Sequence, residues 1–155
     1  MSTAERPQMF YEDLTLGATY RSPTIEVSTE EAIAFAQRYD PQPFHTDATA
    51  AARSVFGGLV ASGWMTAALT MRLMVSGEFH FGPGVVGLGI DALRWPRPVR
   101  PGDKLTAVVE VMAMRPSGSK PEYGIVKIQT TTTNQQGEIV QSMVSNILMP
   151  RRPAA

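Results

Sequence analysis

The sequence predicts an α+β fold in which one antiparallel sheet wraps around a single apolar helix. Three observations carry this. The stretch LVASGWMTAALTMRLMV, residues 59–75, is apolar nearly all round and holds one charged residue, Arg72, as a buried core helix does. Four strand-like runs follow, at Val85–Leu93, Lys104–Met114, Tyr123–Asn134 and Ile139–Met149, with the turn signals PRPVRPGD, RPSGSKPE and NQQGE between them. One run, YGIVKIQTTTTNQQG, alternates and is rich in β-branched residues, which is the pattern of a half-solvated antiparallel strand.

Taken in chain order, residues 1–8 are polar and read as a loose tail, and 9–150 as the folded domain. Residues 151–155 form a short C-terminal tail. Met9–Leu16 is an irregular entry segment ending at Gly17. Thr19–Val27 leans to β structure, but Pro23 removes a ladder donor, so an edge strand is expected. Ser28 and Glu31 form a capping-box pattern. The helix they open carries Ala32, Ile33, Phe35, Ala36 and Tyr39 as its apolar face. Pro41 stops it, because the residue before a proline disfavours the α region. The stretch YDPQPFH is then the loop at this helix's C-terminus. Thr46 or Asp47 caps a short helix over Thr49–Arg53, and Gly57-Gly58 leads into the long apolar stretch.

Composition narrows the function. The 155 residues hold fourteen basic and fourteen acidic side chains, so no overall field favours nucleic acid or an anionic membrane. Cysteine is absent, which removes disulfides and thiolate chemistry. Two histidines far apart, without an HExxH pattern, argue against a metal site. No apolar run spans a membrane and no leader-like segment opens the chain, so a cytoplasmic protein is expected. The low charged fraction, 18%, fits a surface partly covered by another subunit.

The stretch FAQRYDPQPFHTDATAA resembles the hydratase motif of the MaoC-like dehydratases, the (R)-specific enoyl-CoA hydratases. Their pattern of Asp, one free residue, usually Asn, then Pro, an apolar residue and His is filled in order by Asp40, Pro41, Gln42, Pro43, Phe44 and His45. WPRPVRPGDKL is similar to the family's turn between strands, and GGLVASGWMTAAL to the start of its central helix; the resemblance runs from about Phe10 to Met149. It implies a hot-dog fold and, for a chain of one hot-dog unit, a homodimer or higher homo-oligomer. Two positions depart from the pattern. Gln42 stands where the family usually has Asn, and Ser62-Gly63 where many relatives have His-Gly.

The resemblance implies reversible hydration of a trans-2-enoyl-CoA to the (R)-3-hydroxyacyl-CoA, with coenzyme A part of the substrate and no separate cofactor. Such hydration needs a group to deprotonate water, a proton for the α-carbon, and donors for the thioester oxygen. Asp40 and His45 are the candidate pair on the water, with either as base. Gly63, near the start of the buried helix, is the candidate oxyanion donor. Gln42, Ser62, Trp64 and Arg97 are the candidate substrate-binding residues. A bond back into the helix is the alternative for Ser62, and core or acyl-pocket packing is expected for Trp64, Met65 and Met71. Arg94, Arg100 and Lys104 join Arg97 as candidate phosphate contacts, against a solvated turn. His80 reads as a loop residue, and Asp103 as a cap of its turn. A hot-dog acyl-CoA thioesterase and a non-catalytic acyl-CoA-binding module are the rival readings.

Overall fold

The computed structural model describes residues 6–154; the first five residues of the expected N-terminal tail and Ala155 lie outside them. After a single 3-10 turn at Tyr11–Asp13 the elements are β1 (Thr19–Glu26), α1 (Thr29–Tyr39), α2 (Pro43–Thr46), α3 (Ala48–Ala52), α4 (Gly63–Ser76), β2 (Val86–Arg94), β3 (Lys104–Pro116), β4 (Tyr123–Thr133) and β5 (Ile139–Pro150). The five strands form one sheet in the order β1-β3-β4-β5-β2, with every pairing antiparallel. The four strand-like runs all form, within a residue or two of the bounds read from sequence.

β1 is an edge strand, and the register shifts between Arg21 and Thr24, around Pro23. The proline thus sits where no ladder donor is needed. Ser22 Oγ accepts the Ala107 N–H at 2.8 Å and takes up the donor that the irregularity releases. The other edge is β2, which is glycine-rich and shifts register twice against β5.

α4 packs across the concave face of the sheet. Met65 and Leu73 meet Leu105, Ala107 and Val140 in one core cluster, and Met74 meets Val126, Ile128 and Met149 in another. Leu105 and Ile128 have no exposed surface, and burial of each such side chain stabilises by about 1.5–3 kcal/mol. Two hydroxyls also meet between helix and sheet, Thr70 and Thr132 at 2.8 Å.

Four expectations are corrected. The long helix starts at Gly63, not Leu59: Val60 N–H bonds to Phe44 O and Ala61 N–H to Val99 O, so this backbone is extended and already paired. The helix is not buried all round. Trp64, Met71 and Val75 are 59, 47 and 47% exposed, because one five-stranded sheet covers only one side of it. Tyr39 is exposed at the end of α1, stacked on Phe35 rather than in the core. Only half of the capping box forms: Ser28 Oγ accepts the Glu31 N–H at 3.0 Å, while Ser28 N–H gains no bond from the Glu31 carboxylate among the described residues.

No helix of the described residues is long and apolar enough to cross a membrane. Within the expected tails, Arg6 donates to Gly77 O at 2.6 Å, and Arg151 and Arg152 pair with Glu12 and Asp13.

Candidate active site

The site is assembled where α1 ends, α2 turns and α4 begins. Asp40 is the C-cap of α1, outside helical geometry at φ −152° and ψ 66°, as the proline after it requires. Gln42 N–H returns to Asp40 O at 2.8 Å. Pro43 then opens α2 at its first helical position, where a missing N–H costs nothing. The stretch read as a loop therefore holds a helical turn, and that turn places His45 opposite Asp40.

His45 is 6% exposed. Its Nδ1 lies 2.7 Å from Val60 O. A carbonyl oxygen only accepts, so Nδ1 carries the proton of that bond. The other nitrogen, Nε2, faces Asp40 Oδ2 at 3.3 Å. As an imidazolium it donates to the carboxylate. As a neutral imidazole it offers a lone pair to a water in the cavity.

Asp40 is held on both oxygens. Gln42 Nε2 donates to Oδ1 at 2.7 Å, and Ser62 Oγ donates to Oδ2 at 2.7 Å. Burial pushes the Asp40 carboxyl up, but the Gln42 and Ser62 hydrogen bonds and the His45 charge together hold it below its ordinary value. Ser62 also N-caps α4, with Oγ accepting the Trp64 N–H at 3.3 Å. Asp40 thus sits at the positive end of a fourteen-residue helix. Met65 and Thr66 N–H bond to Ser62 O. Gly63 N–H has no acceptor among the described residues, so it is the free donor of the first turn.

A cavity of about 470 Å³ joins these groups, with Asp40, His45, Gly63, Trp64, Trp95 and Arg97 in its wall. Trp95 is the residue sequence reasoning missed. Its ring lies flat against Gly63, so close that a Cβ there would fall 2.6 Å from Cε2. Its Nε1 donates to Gln141 Oε1 at 2.9 Å, and Trp64 meets it edge to face at 5.3 Å. The signal was present: a tryptophan opens WPRPV, and a glutamine interrupts the apolar start of β5.

The structure brings Asp40, Gln42, His45, Gly63, Trp64 and Arg97 to one cavity, with Ser62 buried behind Asp40 and outside the lining. Two readings change within that set. Ser62 does not face out to substrate: its Oγ bonds to its own helix at the Trp64 amide, and its hydroxyl proton goes to Asp40. Gln42 likewise contacts the carboxylate. Arg97 lines the cavity with its guanidinium paired to Glu138 at 3.0 Å. Arg97 and Arg100 also share a smaller cavity with Asp103, while Arg94 and Lys104 line neither. Met65 and Met74 are core; Met71 is half exposed and lines a separate apolar cavity with Met74, Val75 and Phe81. Asp47 caps α3 through the Thr49 and Ala50 amides, Asp103 caps its turn through Arg100 N–H, and His80 lies between α4 and β2. Among the described residues no three His, Cys, Asp or Glu side chains gather as a metal site.

A sheet curled around one helix defines a hot-dog protein, and the carboxylate–imidazole pair and free amide at the helix start form its candidate site. The chain belongs to the MaoC-like dehydratase family: the family model for the MaoC like domain matches residues 13–134. The crystal structure of a MaoC-like dehydratase from Rhodospirillum rubrum superposes with a TM-score of 0.90 at 46% identity, covering 95% of this chain and 100% of that one. The (R)-specific enoyl-CoA hydratase of Rhodospirillum rubrum is 29% identical over 149 residues, 92% of this chain and 93% of its own length. An uncharacterized protein of Bacillus subtilis, YdeM, is 30% identical over 128 residues, 83% of this chain and 89% of its own.

Proposed function

We propose that the protein adds water reversibly to a trans-2-enoyl-CoA, giving the (R)-3-hydroxyacyl-CoA. The observation that carries this is His45 Nε2 and the Asp40 carboxylate facing each other in the wall that also holds the free Gly63 N–H. A water held by this pair attacks the β-carbon. One of its protons passes to the pair as the new C–O bond forms. The π electrons move toward the thioester carbonyl, whose oxygen takes up negative charge and accepts from Gly63 N–H. The pair returns a proton to the α-carbon, and the enolate collapses to the saturated thioester. Addition of both atoms from one side of the substrate makes the hydration syn. Arg97, in the cavity wall and balanced by Glu138, is the candidate cationic contact for the phosphates of coenzyme A.

The same reading makes the protein a homodimer or higher homo-oligomer. Leu88 and Ile90 on the unpaired β2 edge are each 51% exposed, and Ile90 shares an apolar cavity with Met71 and Val75 of α4. A second copy pairing edge to edge would cover both and bring its own surface against the cavity mouth.

The test is loss of the enoyl-thioester absorbance when crotonyl-CoA meets the pure protein. Asp40→Asn and His45→Gln are each expected to lower kcat by about 10²-fold or more with the fold intact. Near-native turnover in either variant rejects the pair. Release of free thiol from acyl-CoA would point instead to a thioesterase, and calorimetric binding without turnover to a carrier module.

A further inference from the structure

We propose that Ser62 and Gln42 are positioning residues that clamp Asp40, and that Ser62 ties this carboxylate to the helix turn carrying the Gly63 donor. The inference rests on the hydratase reading and deepens it. The two positions where the chain departs from its family's pattern meet on one group, one on each oxygen of Asp40. Ser62 is fully buried. Its single hydroxyl proton goes to Asp40 Oδ2, and its lone pair takes the Trp64 N–H. The hydroxyl is therefore fixed in direction from both sides and cannot rotate to serve a substrate.

A carboxylate offers about four lone-pair sites, two on each oxygen. On Oδ2 these face Ser62 and His45; on Oδ1 one faces Gln42. With His45 Nε2–H donating to Oδ2, the remaining acceptor direction is on Oδ1, and the geometry assigns the reacting water to it, beside the imidazole. Because Ser62 is also the N-cap of α4, the distance from this water to the Gly63 N–H is set within two consecutive residues. The charged and titratable groups around Asp40 are few. His45 faces it from α2, Arg38 lies in the last turn of α1, and Arg97, in the cavity wall, is committed to Glu138. The first turn of α4 carries none.

The experiment uses Ser62→Ala, Ser62→Gly and Gln42→Met in the full chain. Glycine is a tolerated N-cap, and Gln42 is exposed, so the last two variants keep the fold even if the first does not. Loss of one donor to the ionised carboxylate is expected to move the acid limb of kcat/KM up by about one pH unit. kcat should fall with KM little changed. The Asp40 carboxyl resonance in protein carrying ¹³C-labelled aspartate, assigned by its absence in Asp40→Asn, should titrate higher by the same amount. That titration reads the clamp without turnover, so it decides the proposal even if crotonyl-CoA is not hydrated. A titration unmoved in Ser62→Gly and Gln42→Met overturns it. So does loss of activity in Ser62→Ala that Ser62→Gly fully restores, since that outcome assigns Ser62 to helix capping alone.

Discussion

Gly63→Ala asks whether the start of α4 and the Trp95 ring are fitted to each other. The added Cβ would lie 2.6, 2.7 and 2.9 Å from Cε2, Cδ2 and Cε3 of Trp95. Relaxed carbon contacts sit at about 3.5–4.0 Å, so the indole or the helix start must give way by roughly 1 Å. The indole is not free to do so, being tied by Nε1 to Gln141 and braced by Trp64. Overpacking of this kind costs about 1–3 kcal/mol. The better helix propensity of alanine offsets up to about 1 kcal/mol of that, and less at a first-turn position. The net loss is therefore about 1–2 kcal/mol, a fall of roughly 2–8 °C in Tm for a chain of this size. The effect on rate is larger. A shift of about 1 Å between the Gly63 N–H and the reacting atoms costs on the order of 10²-fold in turnover. Calorimetric unfolding and initial rates on crotonyl-CoA read the two quantities. Combining Gly63→Ala with Trp95→Phe should recover part of the stability, because the two changes share one contact. Wild-type Tm and wild-type rate in Gly63→Ala would refute the fit, as would strict additivity in the double variant.

Further outcomes follow from other contacts. Trp95→Phe leaves Gln141 Oε1 without its donor in a residue whose Nε2 is already unpartnered and which has no exposed surface; chemical denaturation should show a loss of about 1–3 kcal/mol. Thr70→Val strands the Thr132 hydroxyl at a similar cost of about 1–3 kcal/mol, and adding Thr132→Val should restore much of it. Asp40 has a folded pKa below its ordinary value of 3.8. Its contribution to stability is therefore present above pH 3.8 and is lost as pH falls through the lower folded value. The urea midpoints of wild type and Asp40→Asn should converge below that pH. Glu12 and Asp13, lowered by the Arg152 and Phe10 amides, act alike in both proteins and cancel in the comparison. Ile90→Lys, on the β2 edge, should give a smaller species in light scattering if that edge joins two copies.

The sheet was legible because each strand carries its own record: alternation, β-branched residues and a turn signal on either side. The Asp40–His45 pair was legible for a local reason too, since only four residues, two of them prolines, separate the two groups. The beginning of α4 was not. Leu59–Ser62 is as apolar as the helix after it, and only bonds to Phe44 and Val99, distant in sequence, hold it extended. The exposed stripe of α4 was misread because an apolar side chain does not record which face of its helix the sheet covers. The Trp95–Gln141 contact spans 46 residues and turns on a register shift. β5 slips against β4 between Thr132 and Thr133, which buries both Val140 and Gln141 and breaks the alternation from which a glutamine would be placed outside. The partners of Ser62 were out of reach as well, because Asp40 lies 22 residues away.

The chain has two tryptophans, Trp64 and Trp95, and both stand in the wall of the same cavity in mutual edge-to-face contact. All tryptophan emission of the protein therefore originates at its candidate active site. The molecule carries its own optical probe: an acyl-CoA entering the cavity changes the polarity and quenching around both indoles at once. Affinity for successive chain lengths can then be ranked by fluorescence titration, without label, turnover or coupled assay.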